Sequence, residues 1–145
     1  MKFTKILVPV GGNEIDRDAI ELACKIAKGA EGKIYVVHTI QVKRSLPLDA
    51  ELESEAHRAE EILSRAESIA DEQDYEVETD LLQTREVGPA IVDEAMERGI
   101  DVIIMGTSHR RRLGEFNLGG VIPYVLKNAP CDVIVLLMHQ SSPER

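Results

Sequence analysis

The stretch VIIMGTSHRRRLGEFNLGGVIPYVL, residues Val102–Leu126, passes from an apolar segment through a loop with glycines and arginines into an amphipathic segment. The apolar segment predicts a buried strand, Asp101–Met105, and the spacing after the loop predicts a helix that begins near Gly119-Gly120 and ends at Asn128. A strand, a cationic loop and a helix start, in this order, can form an anion-binding cradle. The stretch therefore predicts both a fold class and a place for a ligand.

The rest of the chain alternates between strand patterns and helix patterns in the same way. The predicted strands are Phe3–Val10, Lys33–Thr39, Tyr75–Leu82, Asp101–Met105 and Cys131–Met138. Four amphipathic helices lie between them, and the alternation within Tyr75–Leu82 favours a strand near the sheet edge. Together they predict a single domain, residues 1–145, which is a three-layer α/β/α open sandwich with a five-stranded parallel sheet.

Local residues predict where the helices begin and end. Asn13 is a candidate N-cap of the first helix, which closes by Gly29–Gly32. The long second helix begins near Asp49. The third begins at Val87 and ends at Gly99. Met96 belongs to the predicted apolar stripe of the third helix, and the corresponding stripe of the fourth is Leu118, Val121, Ile122, Val125 and Leu126.

The bulk composition excludes several classes of function. A net charge of −9, with five aromatic residues and no tryptophan, is unfavourable for nucleic-acid binding. The longest apolar run, Val133–Met138, is too short to span a bilayer, and no cleavage site follows the first strand. These features predict a cytoplasmic protein without direct membrane insertion.

The charge is distributed unevenly along the chain. The segment Asp49–Gln73 holds nine acids and two arginines, whereas Met105–Asn128 has a net charge of +3 because it contains Arg110, Arg111 and Arg112. A cationic loop on an acidic protein suits a small anion better than a long polyanion. The alternative is that the three arginines are simply solvated.

The sequence contains no recognisable catalytic or metal-binding motif. Cys24 and Cys131 each lie among apolar residues and are predicted to be buried, reduced thiols. The four histidines lack metal-ligand spacing, and His38 at a strand end is predicted to be a hydrogen-bonded structural residue. Gly114 and Gly119 have the spacing of a phosphate-binding P-loop, but the lysine and hydroxyl residues that must follow are absent. No residue set specifies a nucleophile and a base.

The predicted fold nevertheless places a binding site. In open parallel sheets, ligands bind beyond the carboxyl ends of the strands where the strand order reverses. If the first and fourth strands are neighbours, the loops Gly11–Asn13 and Gly106–Gly120 meet at one crevice. The glycines also have explanations that involve no ligand. Gly106 could form a tight turn, and Gly119-Gly120 could allow close packing against another element.

Several segments resemble the universal stress protein family over nearly the whole chain. They are KILVPV followed by glycine, VVHTI after the first helix, and IIMGTSH…LGG…YVLKNAPCDVIVL at the end. The spacing from Met105-Gly106 to Gly119 and the run Asn128–Cys131 are the most specific parts. The resemblance implies an adenine nucleotide alpha hydrolase-like sheet of order 3-2-1-4-5, and a homodimer with a regulatory role.

One branch of that family binds ATP or AMP, with adenine near the ends of the first two strands and the phosphates on the last loop and helix. In its motif Gly106 and Gly119 match, whereas His109 replaces a glycine, Gly120 replaces a hydroxyl residue, and Gly11 replaces an acid. The nucleotide-binding residues that the resemblance implies are Pro9, Val10, Gly11, Thr39, Gly106, Thr107, His109, Arg110, Arg111, Gly119, Gly120 and Val121. Mg²⁺ would accompany ATP.

The resemblance leaves three functions open. The first is a nucleotide-responsive regulator without catalytic activity. The second is a nucleotide-free dimer, paired through Val133–Met138, that acts by protein contact. The third is slow ATP hydrolysis. The arginine run before LGEF also looks like the variant that accompanies membrane transporters, which implies a transporter as a partner.

Overall fold

The computed structural model describes residues 3–108 and 120–138. Its elements in chain order are β1 (Lys5–Pro9), α1 (Ile15–Ala30), β2 (Lys33–Gln41), α2 (Glu53–Glu72), β3 (Glu78–Thr84), α3 (Val87–Arg98), β4 (Val102–Ser108), α4 (Val121–Asn128) and β5 (Asp132–Met138). The five strands form one sheet of order β3-β2-β1-β4-β5, and every pair is parallel. The predicted fold class and strand order are therefore confirmed.

The three central strands are nearly all apolar because both of their faces are covered. In β1, Ile6 and Val8 pack in the core on the side of α1 and α2, whereas Leu7 packs in the core on the side of α3. All three side chains are fully buried. This continuous burial is typical of a parallel sheet between two helical layers.

The predicted start of α2 near Asp49 is wrong, since the helix begins at Glu53. The side-chain amide of Gln83 donates to the carbonyls of Leu48 and Ala50, at 2.8 Å each. These two carbonyls are thus tied to β3, which keeps the preceding loop out of the helix.

The predicted start of β3 at Tyr75 is also wrong, since the strand begins at Glu78. The backbone amide of Tyr75 bonds to the Ala70 carbonyl, and Asp74 has a left-handed φ of 58°. Tyr75 therefore still belongs to the turn that ends α2. The predicted edge position of this strand is confirmed by the strand order.

Helix α1 differs from its prediction at its start, because its N-cap is Glu14 and not Asn13. The helix ends at Ala30 with a left-handed C-cap at Glu31, so its predicted close at Gly29–Gly32 is confirmed. The predicted ends of α3 at Gly99 and of α4 at Asn128 are confirmed.

Two residues predicted in apolar stripes are exposed. Met96 is 61% exposed on α3, and Leu126 is 51% exposed on α4. Each helix buries only a narrow side, since Ile122 and Val125 are the buried residues of α4. Of the cysteines, Cys24 is buried as predicted, but Cys131 is only half-buried.

Candidate functional site

The carboxyl ends of β1, β2 and β4 and the start of α4 surround a cavity of about 300 Å³, which we call the crevice. It exists because β1 pairs with β4 as well as with β2, so that the loops after these strands lie side by side. This is the position where parallel sheets bind ligands.

Eight of the predicted site residues line the crevice: Pro9, Val10, Gly11, Thr39, Gly106, Thr107, Gly120 and Val121. The other four, His109, Arg110, Arg111 and Gly119, lie outside the described residues. The fold thus brings the described members of the predicted set together at one place, and their role in binding stays a prediction.

Eight further residues of the crevice wall were not among the predicted nucleotide-binding residues, although Asn13 lies in a loop that was predicted to reach the crevice: Asn13, Asp16, Val37, His38, Val87, Ile91, Met105 and Ile122. The apolar members Val37, Ile91 and Ile122 come from three different elements, and only tertiary packing brings them together. For Asp16 and His38 there was a weak signal, since each is a polar residue at the end of an element that opens onto the crevice.

His38 is held by the backbone, as predicted. Its Nδ1 lies 2.8 Å from the carbonyl oxygen of Val10, and the residue is buried. Because a carbonyl only accepts, Nδ1 carries the proton and Nε2 of a neutral ring is an acceptor. The bond fixes the end of β1 against β2 beside the crevice.

The carboxylate of Asp16 closes the loop between β1 and α1. It accepts from the backbone amides of Gly11 (3.3 Å), Gly12 (2.7 Å) and Asn13 (3.1 Å). Burial raises the pKa of Asp16, while these three amides and nearby His38 act in the opposite direction. Gly12 has a φ of 86°, a left-handed conformation that turns the loop back over the carboxylate.

Among residues 3–108 and 120–138, the start of α4 has no such partner. Gly120 is its N-cap, no described side chain caps the helix, and a Cβ added at Gly120 would have no described atom within 4 Å. Close packing, the alternative explanation for this glycine, is therefore wrong with respect to residues 3–108 and 120–138. The helix start carries a partial positive charge and amides that point toward the crevice side.

Gly106 is required by packing. It lies within β4 and not in a turn, so the tight-turn explanation is wrong. A Cβ at this position would overlap Cγ1 of Ile15 and lie 2.9 Å from its Cγ2. The first residue of α1 thus packs directly on the backbone of β4, which positions the β1–α1 loop at the crevice.

The charge of the crevice wall is modest. Among its described residues there is one carboxylate, Asp16, one imidazole, His38, and neither lysine nor arginine. In the described ranges, no cluster of three or more His, Cys, Asp or Glu side chains could hold a metal ion. Likewise, each described helix is too short or too polar to cross a bilayer.

Comparison with known proteins places the chain in a family. The model of the universal stress protein family matches residues 2–136. A universal stress protein of Methanocaldococcus jannaschii is 31% identical over 140 residues, which cover 92% of this chain and 82% of the relative.

Solved structures agree with the sequence comparison. A universal stress protein from Archaeoglobus fulgidus superposes with a TM-score of 0.73 at 28% identity, over 93% of this chain and 94% of the other. A structure of the universal stress protein from Archaeoglobus fulgidus in complex with dAMP gives a TM-score of 0.74 at 26% identity, over 93% and 98%. The chain belongs to the universal stress protein family.

Proposed function

We propose that this chain is a regulatory protein that binds an adenine nucleotide, AMP or ATP, in the crevice. The observation that carries the proposal is the start of α4, which no described side chain caps, on a cavity of about 300 Å³ at the carboxyl ends of β1 and β4. The amides of a helix start attract phosphate, and the adjoining apolar wall accommodates a base.

The wall supplies different chemistry at its two ends. Val37 and Thr39, in the second half of β2, line the same crevice as the buried apolar side chains of Ile91 and Met105. We place adenine there, between the ends of β1 and β2. The phosphate then lies at Gly120 and Val121, at the start of α4. A complex with dAMP in a relative that shares 26% of its residues supports this ligand class.

The size of the cavity bears on the length of the phosphate chain. A volume of about 300 Å³ is at the low end for small-molecule sites, which suits a mononucleotide. Arg110 and Arg111, which lie outside the described residues, carry the positive charge that the outer phosphates of ATP would need. Mg²⁺ would then neutralise those phosphates.

A substitution at Gly120 tests the phosphate position without disturbing the fold. Gly120→Asp places a carboxylate at an N-cap where aspartate is favourable and where there is space. The carboxylate would compete for the amide of Ile122, since Pro123 has no N–H to donate, and it would repel phosphate. We expect AMP affinity to fall by about tenfold or more in titration calorimetry, because a like charge replaces a charge-assisted hydrogen bond.

Gly120→Ser is the matched control, since it fills the same space without charge. Thermal unfolding should show both variants folded. If ATP, ADP and AMP give no heat with the wild type, and denatured protein releases no nucleotide, the proposal is wrong. If the Asp and Ser variants bind AMP equally well, the phosphate does not lie at the start of α4, but nucleotide binding itself is not refuted.

The proposed role includes no catalysis. Slow ATP hydrolysis is the competing proposal, and it requires the phosphates to sit at the motif glycines. The substitution Gly119→Val would obstruct the motif, so this variant gives the background rate of phosphate release from ATP. We expect the wild type to release phosphate no faster than this variant.

A second proposal follows from the exposed edge of the sheet. In the described residues β5 pairs only with β4, and its outer residue Leu137 is 37% exposed. We propose that a homodimer forms through Val133–Met138, with or without nucleotide. Leu137→Lys should give a monomer at micromolar concentration by light scattering, whereas Met96→Lys on α3 should not change the mass. A dimer that survives Leu137→Lys would locate the interface elsewhere.

A transporter partner remains a prediction of the sequence alone. The arginine run that implies it lies outside the described residues.

A further inference from the structure

The crevice has two helix starts on its wall, and they differ in what they offer a ligand. The amides before α1 face a carboxylate of the same chain, whereas no side chain of the described residues caps the start of α4. Asp16 is also the only carboxylate among the described residues of the wall. Its charge therefore bears on every ligand that enters.

The hydrogen bonds of Asp16 leave little room for an external anion. Its Oδ2 accepts from Gly12 and Asn13, and its Oδ1 accepts from Gly11. Three successive amides that converge on one anion form the kind of cradle that binds phosphate in other loops. Here the protein fills that cradle itself.

Two further observations concern the position of the carboxylate. The three amides donate to both oxygens, which restricts rotation of the side chain and opposes the effect of burial on the pKa of Asp16. Arg58, the arginine next to the loop, donates to the Gly11 carbonyl at 3.5 Å and lines, together with Gly12 and Asp16, a second cavity between α1 and α2. Arg58 is not among the described residues of the crevice wall.

We propose that Asp16 determines which phosphate position of a nucleotide the crevice accepts, by barring phosphate from the β1–α1 loop. The sugar hydroxyls then face Asp16 and the 5′-phosphate faces α4. A nucleotide that carries phosphate on the sugar hydroxyl side is rejected. The statement about nucleotides rests on the proposed function, whereas the barring of phosphate from the loop does not.

The first test needs no nucleotide. Inorganic phosphate is titrated into wild type and Asp16→Ala, and the amide NMR signals of Gly11, Gly12 and Asn13 are followed. In Asp16→Ala the amides are free, so these signals should shift with phosphate, at concentrations about tenfold lower than any shift in the wild type. Asp18→Ala, an exposed acid on the same helix, is the control and should behave as the wild type. Equal shifts in the wild type and Asp16→Ala would overturn the proposal.

The second test compares 5′-AMP with 3′-AMP by calorimetry. The wild type should prefer 5′-AMP by about tenfold or more, since a 3′-phosphate would lie near the Asp16 charge. Asp16→Asn keeps an oxygen for the amides but removes the charge, and it should reduce this preference to about threefold or less. The same preference in wild type and Asp16→Asn would overturn the assignment.

The outcomes separate the inference from the function on which it rests. If the wild type binds neither nucleotide, the proposed function fails, and the phosphate titration alone judges Asp16. If 5′-AMP binds but neither variant differs from the wild type, the function stands and the inference fails. If Asp16→Ala does not fold, the comparison of 5′-AMP with 3′-AMP in Asp16→Asn tests the inference instead.

Discussion

The two ends of the sheet each hold an aspartate that accepts three hydrogen bonds, yet the pKa values of these carboxyls shift in opposite directions. At the amino end, Asp101 accepts from the Thr4 amide (2.9 Å), the Thr4 hydroxyl (2.8 Å) and the Lys5 amide (3.0 Å). The bond from the Thr4 hydroxyl is the main cause that lowers the pKa of Asp101. At the carboxyl end, burial raises the pKa of Asp16 in spite of its three amides.

The difference shows that burial, and not the number of donors, separates the two ends. Asp101 links the start of β1 to the start of β4 by hydrogen bonds, and its carboxylate remains accessible to water. Asp16 is partly desolvated on the wall of a crevice, where its charge acts at short range on whatever binds.

Of the predicted changes in stability, the largest is expected at Gly106, where α1 packs on the backbone of β4 at the carboxyl end of the sheet. Gly106→Ala forces its Cβ into Ile15, so we expect the free energy of unfolding to fall by about 1–3 kcal/mol in urea denaturation. Gly29→Ala is the control, because it has open space inside α1 and should stabilise by roughly 0.5–1 kcal/mol. Effects of the same sign at both positions would contradict the packing described for Gly106.

A smaller effect is expected at the amino end. Asp101→Asn should lower the free energy of unfolding by about 1 kcal/mol near neutral pH, because an exposed carboxylate loses charge-assisted bonds that water partly replaces. A depressed folded-state pKa means that the stabilisation is present above the unfolded value, near 3.8, and is lost as the pH falls through the folded value. Urea denaturation at neutral and strongly acid pH checks both parts. A deficit in the variant that is unchanged in acid would show that ionisation of Asp101 is not the cause.

Asp16 should show the opposite pH dependence with a still smaller amplitude. A raised folded-state pKa contributes stability below the unfolded pKa, and this contribution is lost as the pH rises through the folded value. The free energy of unfolding of Asp16→Asn, relative to that of the wild type, should therefore increase as the pH rises from acid toward neutral. Carbon NMR of the side-chain carboxyls should show Asp16 titrating at a higher pH than Asp101. The reverse order would mean that the amides outweigh burial.

Some features of the fold could be predicted from the sequence, and others depend on contacts between distant segments. The alternation of strands and helices, the parallel pairing and the ends of α3 and α4 follow from local patterns, because the apolar period, Gly99 and Asn128 act through neighbouring residues. The strand order was implied only by the family resemblance. The start of α2 does not follow from local patterns, since it depends on Gln83 of another strand. Gly106 was attributed to a ligand or a turn because nothing in its neighbourhood reveals Ile15.

The crevice was predicted in position but not in chemistry. The strand-end rule placed Gly11 and Gly106 together, the family resemblance added Thr39, and all three line the cavity. The role of Asp16 depends on a left-handed Gly12 that folds the loop back on the carboxylate, and local sequence carries only a faint trace of such a turn. Polar contacts between segments are the part of a site that composition and periodicity do not encode.

The smallest predicted effect concerns the helix start that stays open. Gly120→Ser supplies the hydroxyl that the resembling motif has at this position, and there is space for it among the described atoms. Replacing glycine by serine at an N-cap should change stability by only a few tenths of a kcal/mol. The hydroxyl can donate to a phosphate oxygen, so AMP affinity should rise about threefold by calorimetry while adenosine affinity stays unchanged. An equal gain for adenosine would place the serine beside the sugar or base, and the start of α4 would then no longer be the phosphate end of the crevice.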